Sequence, residues 1–249
     1  MVSIKEIKQQ AKKAYKFDVG RNANVEFISF LSKFSLLFTL FTIFIIGLAK
    51  LGRPTVSLPA LLFFVIAYIL IYLFVIAPIN AGRNLYFTKV ADSVQPETDE
   101  MFHFYKNLKM AIYPYFRIAI AMVFYTVFFT ALLICYFRIF SLFSNNYFSF
   151  FNFIISVAII VLYFVSVTVT RMKYSLFPVV YMKHSTGSAV SLLSKTLRCS
   201  YGTKSGLFML HLSFTGWYVL GILSLGIGFI WIMPYIRIAS KIYLNECVK

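Results

Sequence analysis

The chain has 249 residues, 60% hydrophobic and 13% charged, with a net charge of +16 and a mean hydropathy of +0.81. Soluble domains run near about a quarter charged, so this deficit excludes an ordinary soluble domain and places the chain among polytopic membrane proteins. No nucleic-acid partner is expected from the positive charge, because the basic residues flank apolar runs rather than gathering in one patch, an arrangement that the orientation rule for membrane proteins explains.

Residues 3–17, SIKEIKQQAKKAYKF, repeat Ile4, Ile7, Ala11 and Ala14 at helical spacing, with Lys5, Lys8, Lys12, Lys13 and Lys16 on the other face. This pattern predicts a basic amphipathic helix within a cytoplasmic N-terminal segment, residues 1–26. Membrane lipids are its expected partner, with Lys5, Lys8, Lys12 and Lys13 meeting the anionic leaflet. A solvated lead-in helix that only sets orientation is the alternative. No stretch of the sequence reads as a cleavable signal peptide, so the first span is expected to serve as an uncleaved insertion signal.

Residues 27–249 read as a single membrane helical bundle. The first span is predicted at 27–49, with Lys33 snorkelling to the interface. The second is predicted at 56–81, with Pro59 in its first turn and Pro78 ending or kinking it. Residues 91–100 hold four of the eight acidic residues and form the one loop-like stretch. FHFYKNLKMAIYPYFR then reads as an interfacial helix leading to a third span at 118–137. A fourth is predicted at 147–170, followed by an extension or in-plane piece around Pro178. Residues 188–201 form a second amphipathic surface helix, bracketed by Gly187 and Gly202, with Ala189, Leu192, Leu193, Thr196, Leu197 and Tyr201 on its apolar face.

The last apolar tract, residues 205–236, would make a helix of ~48 Å, against a bilayer core of ~30 Å. It must bend, and Gly221, Gly226 and Gly228 mark the place. Two spans result, 207–223 and 229–244, with Arg237 and Lys241 snorkelling to the cytoplasmic face. With both termini cytoplasmic, six spans leave 20 basic residues inside and three outside, as the positive-inside rule requires. The expected fold is an all-α polytopic membrane protein with six transmembrane helices and amphipathic surface helices, in the cell (plasma) membrane.

The chemistry is sparse. All eight acidic residues fall outside the predicted apolar cores, which argues against an ion-coupled carrier. Cys135, Cys199 and Cys247 are scattered, and His103, His184 and His211 lack metal-ligand spacing. No catalytic residue, metal site or cofactor is expected. His211, with Ser213 and Thr215 nearby, reads either as one wall of a polar crevice that Asn152 would complete, or as a helix–helix hydrogen bond. Trp217 and Trp231 read as anchors or packing groups. Gly216, Gly221 and Ser224 form a small-residue strip suited to close helix contact.

HLSFTGWYVLGILSLGIGFIWIMPYIRIASKIYL resembles the C-terminal signature of a bacterial integral-membrane family, the domain of unknown function 975. The matching positions are Ser213, Phe214, Gly216, Trp217, Gly226, Ile227, Gly228, Pro234, Tyr235, Ala239 and Tyr243. IKEIKQQAKKAYK and PINAGRNLYF look like that family's opening and its post-second-span region. TRMKYSLFPVVYM and SLLSKTLRCSYGTKSG depart from its pattern. The resemblance implies a multi-helix membrane protein of Gram-positive bacteria with no assigned activity or catalytic residues. The expected function is a non-enzymatic scaffold, accessory or envelope-protection role through lipid or membrane-protein partners. The alternative is a permease or facilitator for a small or amphiphilic solute.

Overall fold

A computed structural model describes residues 3–50, 66–142, 149–184 and 187–248. Most side chains of residues 37–50, and those of 137–142 and 149–153, are outside the described set. Among the described residues the chain is all helical, with no strand. The helices are α1 (Ile4–Phe17), α2 (Val19–Lys50), α3 (Ile66–Ala91), α4 (Leu108–Leu142), α5 (Ser149–Tyr174), α6 (Phe177–Lys183), α7 (Ala189–Cys199), α8 (Thr203–Leu212), α9 (Thr215–Leu223) and α10 (Phe229–Cys247). A 3₁₀ helix, Thr98–Tyr105, precedes α4.

Local chemistry accounts for the boundaries. Ser3 and Glu6 form a capping box at the start of α1, with Glu6 N donating to Ser3 Oγ at 3.2 Å and Ser3 N to Glu6 Oε2 at 3.0 Å. Asp18 ends α1 and accepts from Arg21 N at 2.9 Å, which caps the first turn of α2. Ser188 caps α7 through Ser191 N. Gly202 takes a positive φ of 85° just after α7.

Pro78 does not end α3. Tyr72–Ile76 widens to a π turn, with Ala77 N donating to Tyr72 O. Proline lacks an N–H and its ring crowds the carbonyl four residues earlier, so a locally widened helix lets the chain continue. α3 therefore runs on to Ala91.

Burial divides the molecule into two parts, here called the cap and the arms. In α2, Asn22, Val25, Glu26 and Ser29 are buried, whereas Phe30, Phe34 and Phe38 farther along are exposed. In α3 the order reverses: Ile66, Ile69 and Leu70 are exposed, and Ile79, Leu85, Tyr86 and Phe87 are buried. α10 goes from exposed Trp231 to buried Ile238, Ile242 and Leu244. The cap core joins these buried halves to Ile7 and Ala11 of α1, Met101, Leu176–Val180, Leu192 of α7 and Leu207 of α8. The arms, including α4 and α5, present large apolar side chains outward. α4 and α5 are paired by Thr170 Oγ1 to Tyr125 Oη at 3.2 Å and by the edge-to-face rings of Phe129 and Tyr163.

The span count differs from the six expected. Among the described residues three helices are long and apolar enough to cross a membrane: Ile66–Ala91, Leu108–Tyr136 and Ile154–Lys183. A fourth exists if α8 and α9, bent by 46°, make one broken span. The predicted 27–49 span lies inside α2, and residues 56–65 of the second lie outside the described residues. The piece around Pro178 is the expected extension, because α6 follows α5 after a brief turn and falls within the Ile154–Lys183 stretch.

The last tract breaks in two places. Besides the turn around Gly226 (φ 86°), it breaks at Ser213–Phe214, so neither α8 nor α9 exceeds ten residues. The predicted sixth span is corrected most. The second half of α10 is buried under α1, α2 and α3, and Arg237 and Lys241 point inward to partners rather than snorkelling. Lys241 Nζ donates to Ser175 O at 2.8 Å, tying α10 to the joint between α5 and α6.

The surface helices are also revised. The apolar face of α1 lies on α10, not on lipid, with Ile7 and Ala11 fully buried. α7 buries Leu192, Leu193 and Thr196 as expected, but Tyr201 lies beyond the helix and is 79% exposed.

Candidate functional site

Of the readings open for His211, the structure gives it hydrogen-bond contacts to neighbouring helices. His211 Nδ1 lies 3.1 Å from Tyr218 Oη, and Nε2 lies 3.4 Å from Ser240 Oγ. The ring thus bridges α8, α9 and α10. Ser213 Oγ donates back to Leu210 O, one turn earlier. The side chain of Asn152 is outside the described set.

Lys8 sits beside this region rather than on an open lysine face. Its Nζ donates to Ser213 O at 2.7 Å and stands 4.4 Å from the centre of the Phe214 ring. The free carbonyl where α8 breaks accepts that bond, so the break and the lysine explain each other. Tyr235 Oη donates to Lys8 O at 3.2 Å, and its ring meets those of Tyr15, Phe214 and Trp217. Trp217 and Tyr235 therefore belong to an aromatic clamp that fastens α1 to the α9–α10 hairpin. Pro234 is buried next to it in α10. Lys5, Lys12 and Lys13 are exposed.

The glycines of the signature divide by role. A Cβ on Gly216 would meet nothing within 4 Å, so Gly216 is not a close-contact position. A Cβ on Gly221 would strike the Phe229 ring, and one on Gly228 would crowd Ser224 Oγ, which accepts from Gly228 N at 2.8 Å. Gly216→Ala should therefore leave stability unchanged or raise it by up to about 1 kcal/mol through helix propensity. Gly221→Ala should cost about 1–3 kcal/mol through overpacking. Thermal unfolding of the two purified variants, in the same detergent, checks the contrast.

Among the described residues a three-helix convergence of charge lies at the junction of cap and arms, which sequence patterning did not reveal. Glu26 of α2 accepts from two arginines. Arg237 of α10 grips it with a two-pronged contact, Nε to Oε2 at 2.9 Å and Nη2 to Oε1 at 3.1 Å. Arg83 of α3 donates from Nη1 to Glu26 Oε1 at 3.1 Å and to Ser29 Oγ at 2.9 Å, and from Nη2 to Asn80 Oδ1 at 3.0 Å. Arg83 is 6% exposed, and its Nε is buried without a hydrogen-bond partner. Burial opposes ionisation of Glu26, but Arg237 and Arg83 outweigh it and hold the carboxyl below the usual glutamate range.

The only trace of this site in the sequence is that Glu26 is the sole acid between Asp18 and Asp92. Residues 26, 83 and 237 are too distant for any spacing rule to join them. A separate cavity of about 480 Å³ lies between α1, the start of α2 and the end of α3; in its wall Arg21 is paired with Asp18 at 3.1 Å. Among the described residues no group of three or more His, Cys, Asp or Glu side chains gathers as metal ligands would.

A family model described as "Protein of unknown function (DUF975)" matches residues 1–248. No curated protein and no solved structure matches the chain.

Proposed function

The chain belongs to the DUF975 family of proteins of unknown function, and we propose that it is a multi-pass plasma-membrane protein that works as a non-enzymatic scaffold or accessory factor. In this reading the cap, which holds α1 and the buried half of α10, faces the cytoplasm with both termini, and the arms lie in the bilayer. The skew of basic residues toward the cap end supports that orientation. The exposed apolar side chains of α4 and α5 support the bilayer placement.

The observation that carries the scaffold reading is the Glu26 junction. Its convergent ionic groups are used to fasten α2, α3 and α10 to one another. Among the described residues the outward surface includes the apolar arms and the exposed lysines of α1, Lys5, Lys12, Lys13 and Lys16. The contacts of His211 with Tyr218 and Ser240 favour this reading over a permease, whose polar path would need that group free.

Affinity purification of the full chain in a mild detergent, with mass spectrometry of the proteins and lipids retained, tests the proposal. A stoichiometric membrane-protein partner is the expected result. Solute flux through liposomes carrying the purified protein, abolished by a His211 variant that still folds, would overturn it in favour of a facilitator.

A further inference from the structure

The junction holds more positive charge than its one carboxylate can balance. Arg83 and Arg237 cannot lose their protons in a protein, so two fixed positive charges face the single charge of Glu26. Three further cations lie within electrostatic reach. Lys33 stands two turns after Glu26 on the same face of α2, and Arg83, Arg237 and Arg171 all act on it electrostatically. Lys241, buried in α10, lies within the fields of both arginines. Glu26 is the carboxylate that acts on Lys33, while Lys241 is opposed by both arginines.

Buried charge without a counter-charge is costly, and an unmade hydrogen bond at a buried cationic donor adds to the cost. Arg83 Nε is such a donor. The cluster also has a closed side and an open side. Arg83 is enclosed, Arg237 is 27% exposed at its side chain, Lys33 is half-buried and Arg171 is exposed. The open side lies where the helices pass from the packed cap to the apolar arms. In the orientation proposed above, that is the depth of phospholipid phosphates.

We infer that this junction is a phosphate-binding site, with Arg83 and Arg237 as its floor and Lys33 and Arg171 as its entrance. Guanidinium groups suit a phosphate because their planar N–H pairs match its oxygens. The phosphate arrives on an anionic phospholipid headgroup or as a free anion. The lipid source rests on the membrane placement; the anion chemistry does not.

The test uses the full chain and reads its thermal midpoint in detergent with added inorganic phosphate. In parallel, the chain is reconstituted into phosphatidylcholine vesicles with and without phosphatidylglycerol. The double variant Lys33→Gln, Arg171→Gln removes the entrance and leaves the Glu26 contacts intact. Lys195→Gln, Arg198→Gln, at two exposed cations of α7, serves as a control of equal charge loss.

Both phosphate and phosphatidylglycerol are expected to raise the midpoint, with an apparent affinity about tenfold weaker in the entrance variant and unchanged in the control. A rise with phosphatidylglycerol alone assigns the site to a lipid headgroup, and a rise with inorganic phosphate alone assigns it to a free anion. No rise in either arm, or a rise that the entrance variant keeps in full, overturns the inference. Stable incorporation into pure phosphatidylcholine vesicles reads the membrane placement separately, so failure of one reading is not failure of the other.

Discussion

Glu26→Gln should lower the unfolding free energy by about 3–5 kcal/mol, the range for removing one partner of a buried ion pair. The substitution keeps the size of the side chain and deletes only its charge. Arg83 and Arg237 then face each other without the carboxylate that both now donate to. Arg83 has Ser29 and Asn80 as its other acceptors, but both are neutral. Arg237→Gln should cost less, since Arg83 would keep Glu26 and the cluster would lose its like-charge repulsion. Denaturation of the three purified proteins in one detergent gives the order. An unchanged midpoint for Glu26→Gln would mean that the carboxylate does not hold α2 to α3 and α10.

Acid should reproduce part of the same loss. The folded state holds the Glu26 carboxyl below its ordinary value, despite the opposing effect of burial. The stabilisation is therefore fully present above the ordinary glutamate value, about 4.3, and is lost as pH falls through the lower folded value. In Glu26→Gln that part of the acid sensitivity should disappear.

The helical class and most helix positions were legible in the sequence because apolar periodicity and caps are local signals. The spacing of Ile4, Ile7, Ala11 and Ala14, and of Ala189, Leu192, Leu193 and Thr196, announced α1 and α7, and the structure adds the caps Ser3 with Glu6 and Ser188. The destination of each helix was not legible. α10 has the length and much of the hydropathy of a span, and only its neighbours reveal that its second half is interior to the cap. Local patterning cannot tell burial in protein from burial in lipid, because both select apolar side chains. The snorkelling assigned to Arg237 failed for the same reason: a partner 211 positions away in sequence satisfies it instead. The partners of His211, Tyr218 and Ser240, lie at ordinary helical and long-range separations that carry no signal. Glu26 was passed over because it sits one residue before the predicted first span, where an acid looks like an ordinary flank.

Gly82→Ala should be the most damaging single-methyl change in the cap. Gly82 lies in the buried half of α3, where that helix crosses the 3₁₀ helix Thr98–Tyr105. A Cβ at Gly82 would fall on the backbone carbonyl of Met101. Backbone cannot swing away as a side-chain end can, so the two helices would have to separate. Met101 and Phe104 are both fully buried beside this crossing, and the adjoining Lys89–Glu100 ion pair spans the same two elements. Separation would open packed apolar surface as well as strain the backbone. The expected cost is about 3 kcal/mol or more, the upper part of the range for overpacking. Helix propensity pulls the other way by about 1 kcal/mol, which makes the sign of the result informative. The comparison with Gly216→Ala is internal, since the same substitution in another helix of the same protein has open space around it. Parallel thermal unfolding should separate the two variants by several degrees, with Gly82→Ala the lower. Equal midpoints would show that α3 and the 3₁₀ helix do not touch backbone to backbone. The packing of the cap around Met101 would then have to be redrawn.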